Sequence, residues 1–442
     1  MINLPRDIEL TTVLMTDLIK RHKDEVKERY QKLFDAYTSN HDILHLPKKA
    51  AYKPDNRIVV NFPKYIVDTM NGFFLGHPIK ITTDDEAAAK FVEHLDQYND
   101  QDNNNAELSK LCGIFGKAYE MYYTDENSEL CITYLSPIDA FMVFDDSILK
   151  RPLFFIRTYT DKDNNEYGSI SDETAVRHFK VTGGFQWTDD WESHYFDGVP
   201  ATEFVENGEK QGLFEPVLTV INAYNKAISE KANDVDYFAD AYLKVLGAKV
   251  QGEDLNFIRD NRVVNFFGKD TDKIIAEFMS KPSADTTQEN LLERLERLIF
   301  NISMVANIND ENFGTSSGIA MKYKLQNMSN LEKTKERKFT SGMNRRYKLL
   351  FSHPRSSAAA DSWIGLHYHF TPNFPANLLE EAQIASQMEG IVSHETQLKV
   401  ISIVDNVNEE IERIEEENKP QETIIDRQMF AAEQTIEGND EQ

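Results

Sequence analysis

Only two cysteines, Cys112 and Cys131, occur in the 442 residues of this chain. So few thiols exclude a disulfide framework and a cysteine-built zinc site, and they point to a reducing compartment. No apolar run approaches the roughly 18 residues that a membrane-spanning helix requires. The opening MINLPRDIEL has no basic stretch followed by an apolar core, so no signal peptide is expected, and the protein is expected to be soluble and cytoplasmic when made. Positive charge is also scarce: 48 Lys and Arg stand against 74 Asp and Glu, leaving −26. That balance disfavours a protein that wraps nucleic acid tightly, because such binding rests on cations neutralising phosphates. It is compatible with one that lets DNA pass without gripping it.

Catalytic motifs are missing as well. Gly113-Ile114-Phe115-Gly116-Lys117 looks like the end of a phosphate loop, but G-x-x-x-x-G-K needs glycine where Leu111 stands. His394-Glu395 has no second histidine three residues on, so no zincin helix is present. His367 and His369 alternate along a short strand and read as exposed edge residues. No carboxylate pair rises above an acidic background. No catalytic residue, metal or cofactor is expected, and a structural or interaction protein is favoured over an enzyme.

What is present is enough for about two to four domains with cores. Hydrophobic residues make up 40%, with 18 Tyr and 27 Phe, so the chain is folded. Residues 8–37 read as an amphipathic helix. Helices are also expected at Tyr65–Phe74, Asp84–Asn99 and Leu108–Phe115, with a short strand at Ile79–Thr82. From Ala118 the apolar period becomes two. Strands are expected at Ala118–Tyr123, Leu130–Tyr134, Phe141–Phe144, Leu153–Tyr159, Ala175–Val181 and Ser193–Phe196, with turns at 125–127, 163–165 and 183–184. A late strand, Ile364–Phe370, is a candidate to rejoin this module.

Between them the chain is mostly helical. Val217–Asp240 leads to a small α/β piece with Leu243–Val250, a helix Leu255–Asp260 and Arg262–Phe267. Thr286–Glu289 fits a capping box for the next helix, where Leu291, Leu295, Leu298 and Ile302 form an expected packing stripe. A polar loop follows, then Gly318–Phe351, a proline-free stretch that would make a helix roughly 50 Å long. Lys322, Lys324, Lys333, Lys335, Arg337, Lys338, Arg345, Arg346 and Lys348 face only Glu332 and Glu336, so this segment is +7 in a chain of −26. Such a helix either packs against acidic neighbours or faces a polyanion. After Pro375, helices are expected at Ala376–Glu389, Thr396–Val404 and Asn408–Asn418, broken at Gly390. From Asp405 onward 13 acidic residues stand against 3 basic ones, and the pattern is lost beyond Pro420.

The order of these parts resembles the portal (connector) proteins of tailed bacteriophages, in the siphophage type of Gram-positive hosts. Four pieces carry the resemblance: the block NRIVVNFPKYIVDTMNGFFLGHPIKITTDD from Asn56; the β module containing Leu135-Ser136-Pro137-Ile138-Asp139-Ala140-Phe141; the succession helix, α/β insertion, helix, polar loop, long helix over 217–351; and Gly390–Thr396 followed by an apolar and then an acidic helix. The span is about residues 50–418. The β module and the C-terminal part are shorter than in larger members.

The resemblance implies an α+β portal fold with helical stem, small α/β clip, β-rich wing with a long helix, and helical C-terminal crown. Mapped here, that gives an N-terminal arm at 1–55, wing at 56–215 with 353–375, stem helices at 216–238 and 285–306, and clip at 239–284. The channel loop would be 307–317, the long basic helix 318–352, the crown 376–418 and an acidic tail 419–442. It further implies a homo-oligomeric ring, usually a dodecamer, at one capsid vertex of the virion, assembled in the host cytoplasm. Double-stranded DNA would pass through it, and terminase, a head-completion adaptor, capsid and scaffolding proteins would dock on it, with no membrane involved. Channel-loop residues would be Asn307, Asn309, Asp310, Glu311, Asn312, Phe313 and Thr315. Lys322, Lys324, Lys333, Lys335, Arg337, Lys338, Arg345 and Arg346 are candidates for DNA or inter-subunit contacts, and Tyr242, Arg259 and Lys269 for the clip interface. A cytosolic α+β enzyme with an unrecognised site, or another phage head component, are the competing readings.

Overall fold

A computed structural model describes residues 2–50, 53–239, 243–246, 275–278, 285–308, 323–373, 378–401, 403–404 and 407–417. The chain divides into two units, Met1–Gly314 with Tyr323–Asn373, and Thr315–Lys322 with Phe374–Gln442.

The first unit begins with a strand that the apolar period did not signal. β1 (Ile2–Leu4) runs parallel to β5 (Ala140–Asp145), pairing Ile2 with Val143. The expected helix 8–37 starts later, at Thr12, because the Thr11 hydroxyl caps the Leu14 N–H at 3.2 Å. It runs as α1 (Thr12–Glu25), a π turn over Val26–Tyr30, and α2 (Gln31–Tyr37). Next come α3 (Phe62–Phe74), β2 (Lys80–Thr82), α4 (Glu86–Asn99) and α5 (Gln101–Phe115). Asn61 caps α3 through the Lys64 N–H at 2.9 Å, and Asp85 caps α4 through Ala87 and Ala88.

The β-rich part forms two packed sheets. One is seven-stranded in the order β1-β5-β6-β7-β8-β10, with β9 also on β8. Its further strands are β6 (Pro152–Thr160), β7 (Glu166–Ser171), β8 (Ala175–Lys180), β9 (Gln186–Trp187) and β10 (Glu192–Ser193). The other sheet is β11-β3-β4, from β3 (Lys117–Thr124), β4 (Leu130–Leu135) and β11 (Ala201–Val205). Every residue of β5 is buried, since both its faces are covered. Phe141 and Val143 meet Met15, Leu18 and Ile19 of α1 on one side. Ala140, Met142 and Phe144 meet Tyr119, Val199 and Ala201 on the other. The turns at 125–127 and 163–165 form as expected: the Asp125 and Asp161 carboxylates each accept two backbone N–H groups at 2.8–2.9 Å.

The late strand does not rejoin this module. β14 (His367–His369) pairs with β2 instead, Tyr368 opposite Ile81. Aromatic packing decides it, for Phe370 stacks on Phe74 at 5.3 Å and Tyr368 on Tyr347 at 6.1 Å. Ile364 lies in a 3-10 turn and is exposed, so the expected apolar face begins only at Leu366.

α6 (Leu218–Ala239) packs against α7 (Asp285–Ser303). Along α6, Asn225, Ser229 and Asn233 accept the backbone N–H groups of Val60, Ile58 and Asn56 at 2.9, 2.9 and 2.6 Å. The match is one of periods. Four helical residues rise about 6 Å and two extended residues span about 6.6 Å, so every fourth side chain meets every second amide. On α7 the expected packing stripe is displaced: Leu292, Ile299 and Ser303 are buried, whereas Leu291, Leu298 and Ile302 are exposed. Between α6 and α7, β12 (Leu243–Leu246) pairs antiparallel with β13 (Ile275–Phe278), and the expected elements 255–260 and 262–267 lie outside the described residues.

The long helix α8 spans Gln326–Ser352, about 40 Å at 1.5 Å per residue. Residues 323–324 are helical too, but a turn at Leu325 separates them, so the expected single helix from Gly318 is broken there. α8 lies close on β11 because Gly342 has no side chain: a Cβ there would stand 2.4 Å from the Phe204 ring.

The second unit contains α9 (Leu378–Gln387), α10 (His394–Leu398) and α11 (Val407–Glu417). Gly390, at φ +74°, makes the expected break.

Candidate functional site

The site to be built is the long helix and the loop that leads into it. The entry side of that loop is fixed. Asn307 donates to Glu296 at 3.1 Å, and the Ile308 N–H donates to the Tyr65 hydroxyl at 2.8 Å. Tyr65 is itself held edge-on to Phe300, which also meets Phe62, and Phe62 meets Tyr224. One aromatic cluster thus ties α3, α6 and α7 together where the loop starts. Beside it lies a cleft of about 500 Å³ whose lining includes Glu293, Glu296, Arg297, Asn307, Lys324 and Asn327. Asn309, Asp310, Glu311, Asn312, Phe313, Thr315 and Lys322 lie outside the described residues, as do Tyr242, Arg259 and Lys269.

The basic residues of α8 separate into two kinds. Arg346 has no exposed surface; its Nε and Nη2 fork onto both oxygens of Glu120 at 2.8 and 2.6 Å, and Nη2 also reaches Asn105 at 2.7 Å. Burial works against this charge, but Glu120 together with Tyr347 and Tyr122 outweighs it, so the guanidinium ends more basic than an ordinary arginine. Gln101 donates to Asn105 and Glu120, and Tyr122 and Thr202 complete the network. Lys335 is equally enclosed, its ammonium 2.5 Å from Glu206 and 3.2 Å from the Ser109 carbonyl. Arg345 donates to the carbonyls of Val199 and Ala201, each at 3.2 Å, so its fork binds the chain leading into β11.

Lys324, Lys333, Arg337 and Lys348 are exposed, and Lys338 is half-buried. Lys333 pairs with Glu336 at 2.7 Å and approaches Glu332 at 3.6 Å, where burial pushes the Glu332 carboxyl above its usual range. The helix therefore packs against acidic neighbours through Lys335 and Arg346 and keeps other cations at the surface. The acidic partners were missed from sequence. Their signal was a carboxylate within an apolar strand, Glu120 in KAYEMYYT, and another just after one, Glu206 behind ATEFV. Among the described residues no group of three or more His, Cys, Asp or Glu could hold a metal ion, and no helix is long and apolar enough to cross a membrane.

The family model described as "Phage portal protein, SPP1 Gp6-like" matches residues 16–423. The chain belongs to this phage portal protein family. The match takes in both sheets apart from β1, the α6–α7 pair, the long helix and the helices of the second unit. A portal protein of Clostridium phage phiCD119 is 22% identical over 409 residues, 84% of this chain and 87% of the relative. Among solved structures, the neck of an empty GTA particle aligns at TM-score 0.44 and 14% identity, covering 76% of this chain and 89% of that one. Portal-family proteins are structural, and both the α+β content and the expected Gram-positive phage kinship agree with the match.

Proposed function

We propose that this chain assembles into the portal ring, twelve subunits in the particle, through which double-stranded DNA enters and leaves a phage head. The family match over 16–423 is the observation that carries the reading. On this reading α6 and α7 are the stem, the segment 239–284 between them the clip that terminase and later the head-completion adaptor bind, and the two sheets with β14 the wing. The helices from 376 form the crown, and capsid and scaffolding proteins contact the outer surface at the vertex. Residues 307–317 border the channel, and the fixed Asn307 and Ile308 hold the base of that loop. Lys324, Lys333, Arg337, Lys338 and Lys348 lie at or near the surface, and DNA or a neighbouring subunit is their proposed contact; Lys335, Arg345 and Arg346 serve the subunit's own interior.

A net charge of −26 suits such a channel, because each phosphate-neutralising lysine in the bore adds a salt-dependent brake. Light scattering and negative-stain images of the purified protein test the ring; a stable monomer throughout the micromolar range, with no rings in particles, defeats it. For the channel, Asp310→Lys with Glu311→Lys places added positive charge at the loop. Rings should still form while packaging slows, with partial relief as salt rises. Normal packaging at low salt would remove the loop from the channel wall.

A further inference from the structure

The seven-stranded sheet is covered unevenly. On the face that carries Phe154, Ile156, Ile170 and Phe179, α1 packs against it. The other face is closed near β5 by the three-stranded sheet, but farther out two rows of side chains cross β6, β7 and β8. Tyr159, Tyr167 and Lys180 stand opposite one another in the outer row, and Arg157, Ser169 and His178 in the next. The two tyrosine rings are near parallel, with centroids 6.0 Å apart. A cation closes each end of the pair, Arg157 at 5.3 Å from the Tyr159 ring and Lys180 at 5.3 Å from the Tyr167 ring. Tyr159 is 47% exposed, and Tyr123 of β3, 43% exposed, lies within reach of the Arg157 charge. Neither Arg157 nor Lys180 makes an ion pair among the described residues. His178 is held by Asp189 at 2.6 Å. Asp161, which feels the Lys180 charge, commits its carboxylate to the N–H groups of Asp163 and Asn165.

We infer that this row of rings and cations is a docking surface for single-stranded nucleic acid. The inference goes beyond the channel reading and does not need it. Aromatic planes stack on bases whatever their sequence, and cations beside them meet the phosphates, which is how sheets bind unpaired strands. Charge complementarity selects the occupant. In a chain of net −26, two cations without acidic partners at the ends of a tyrosine pair are a local exception, and they complement an anion with flat faces. A duplex does not fit, since its base faces are stacked on one another. An acidic peptide would answer the cations but leave the tyrosine planes without a stacking partner. With two free cations the contact neutralises about two phosphates, so the strand is held mainly by stacking.

Fluorescence anisotropy of a labelled oligo(dT) of about 15 nucleotides, titrated with the full-length protein, tests it. Saturable binding is expected, with log K falling against log salt at a slope of about −1.4, the value for two phosphate contacts on a single strand. Tyr159→Ala should weaken binding about tenfold, while Tyr159→Phe, which keeps the ring, leaves it unchanged. Lys180→Gln should reduce the slope to about −0.7. If Tyr159→Ala loses the parental circular dichroism spectrum, Lys180→Gln and the slope decide. No saturable binding, parental affinity in Tyr159→Ala, or a duplex of the same length bound as tightly overturns the inference. A much steeper slope that Lys180→Gln leaves unchanged places the strand on other cations and also overturns it. Hexaglutamate that displaces the strand as well as unlabelled oligo(dT) does so too, and makes the face a surface for acidic peptides.

Discussion

The bed of the long helix and the α6–α7 pair both bury polar side chains, by opposite means. Beneath α8 the buried groups are full charges, Arg346 on Glu120 and Lys335 on Glu206, each taken out of water and held by its counter-ion. Along α6 they are neutral, with Asn225, Ser229 and Asn233 receiving the backbone amides of the irregular segment 56–60. A buried ion pair depends on both partners, because either one alone is an uncompensated charge. A neutral ladder loses one hydrogen bond at a time. The first arrangement makes the seating of α8 all-or-none, whereas the second holds the backbone of the 56–60 segment on the helix through neutral side chains, with the charged Asp236 reached only by the Asn56 side chain.

The sharpest way to break this contrast is Arg346→Met, which leaves Glu120 buried and unpaired. A loss of about 3–5 kcal/mol is expected in denaturant unfolding of the subunit. The double variant Arg346→Met with Glu120→Leu should recover most of it, because replacing both partners of a buried pair by apolar groups is often close to neutral. A double variant as unstable as the single one would show that Glu120 is not what the arginine compensates.

On the other side, Asn225→Ala leaves the Val60 N–H without its acceptor. The expected cost is about 1–3 kcal/mol, with no large rescue from any charge change nearby. Hydrogen exchange should locate the loss at Val60 and its neighbours rather than across the sheets. Uniform loss of protection would mean that the ladder is as cooperative as the ion-paired bed.

These two regions also differ in how far the sequence discloses them. Element types were legible because the apolar period changes from helical to alternating at Ala118, and Gly183-Gly184 and Gly390 mark breaks by their freedom at positive φ. β1, β7 and β11 were not. β7 and β11 interleave polar residues such as Glu166, Ser169, Thr202 and Glu203 with the apolar ones, and β1 is three residues long. The partner of β14 could not be read, since pairing with Lys80–Thr82 depends on contacts nearly 290 residues apart. On α7 both Leu291/Leu298/Ile302 and Leu292/Ile299 satisfy helical spacing, so the period alone cannot choose the buried one. The charge of α8 was plain in sequence, while the division into interior and surface cations came only with Glu120 and Glu206 in place.

A smaller effect is expected where α8 touches β11. Gly342→Ala gains up to about 1 kcal/mol of helix propensity. Its Cβ, however, would stand 2.4 Å from the Phe204 ring, closer than side chains approach. Overpacking of this kind typically costs about 1–3 kcal/mol, so a net loss near 1 kcal/mol is expected in thermal or denaturant unfolding. A stabilised variant would show that the ring yields and that α8 is not seated tightly there.

The smallest effect concerns Asp96, beside the charged bed, and its sign is opposite. Burial raises its carboxyl from 3.8 to about 6, a shift that Arg346 and the Tyr347 hydroxyl reduce but do not cancel. An acid whose folded pKa lies above its unfolded value binds more protons folded than unfolded between the two. Stability therefore falls as pH rises from about 4 to 6, and the cost is fully present above that window. Asp96→Asn removes the charge and keeps the shape. It should stabilise the subunit near neutral pH by about 1 kcal/mol, the full linkage value being reduced by partial solvent access. Near pH 4 the gain should vanish, because the parental carboxyl is then protonated in the fold. His22, His41, His194 and His353, all held below the ordinary imidazole value by burial, pull the opposite way on acidification. They do so equally in parent and variant, so the measurement is the difference between the two unfolding free energies at pH 7.5 and pH 4. A difference that stays constant across that range would mean Asp96 is not protonated in the fold and that Arg346 reaches it as well as Glu120.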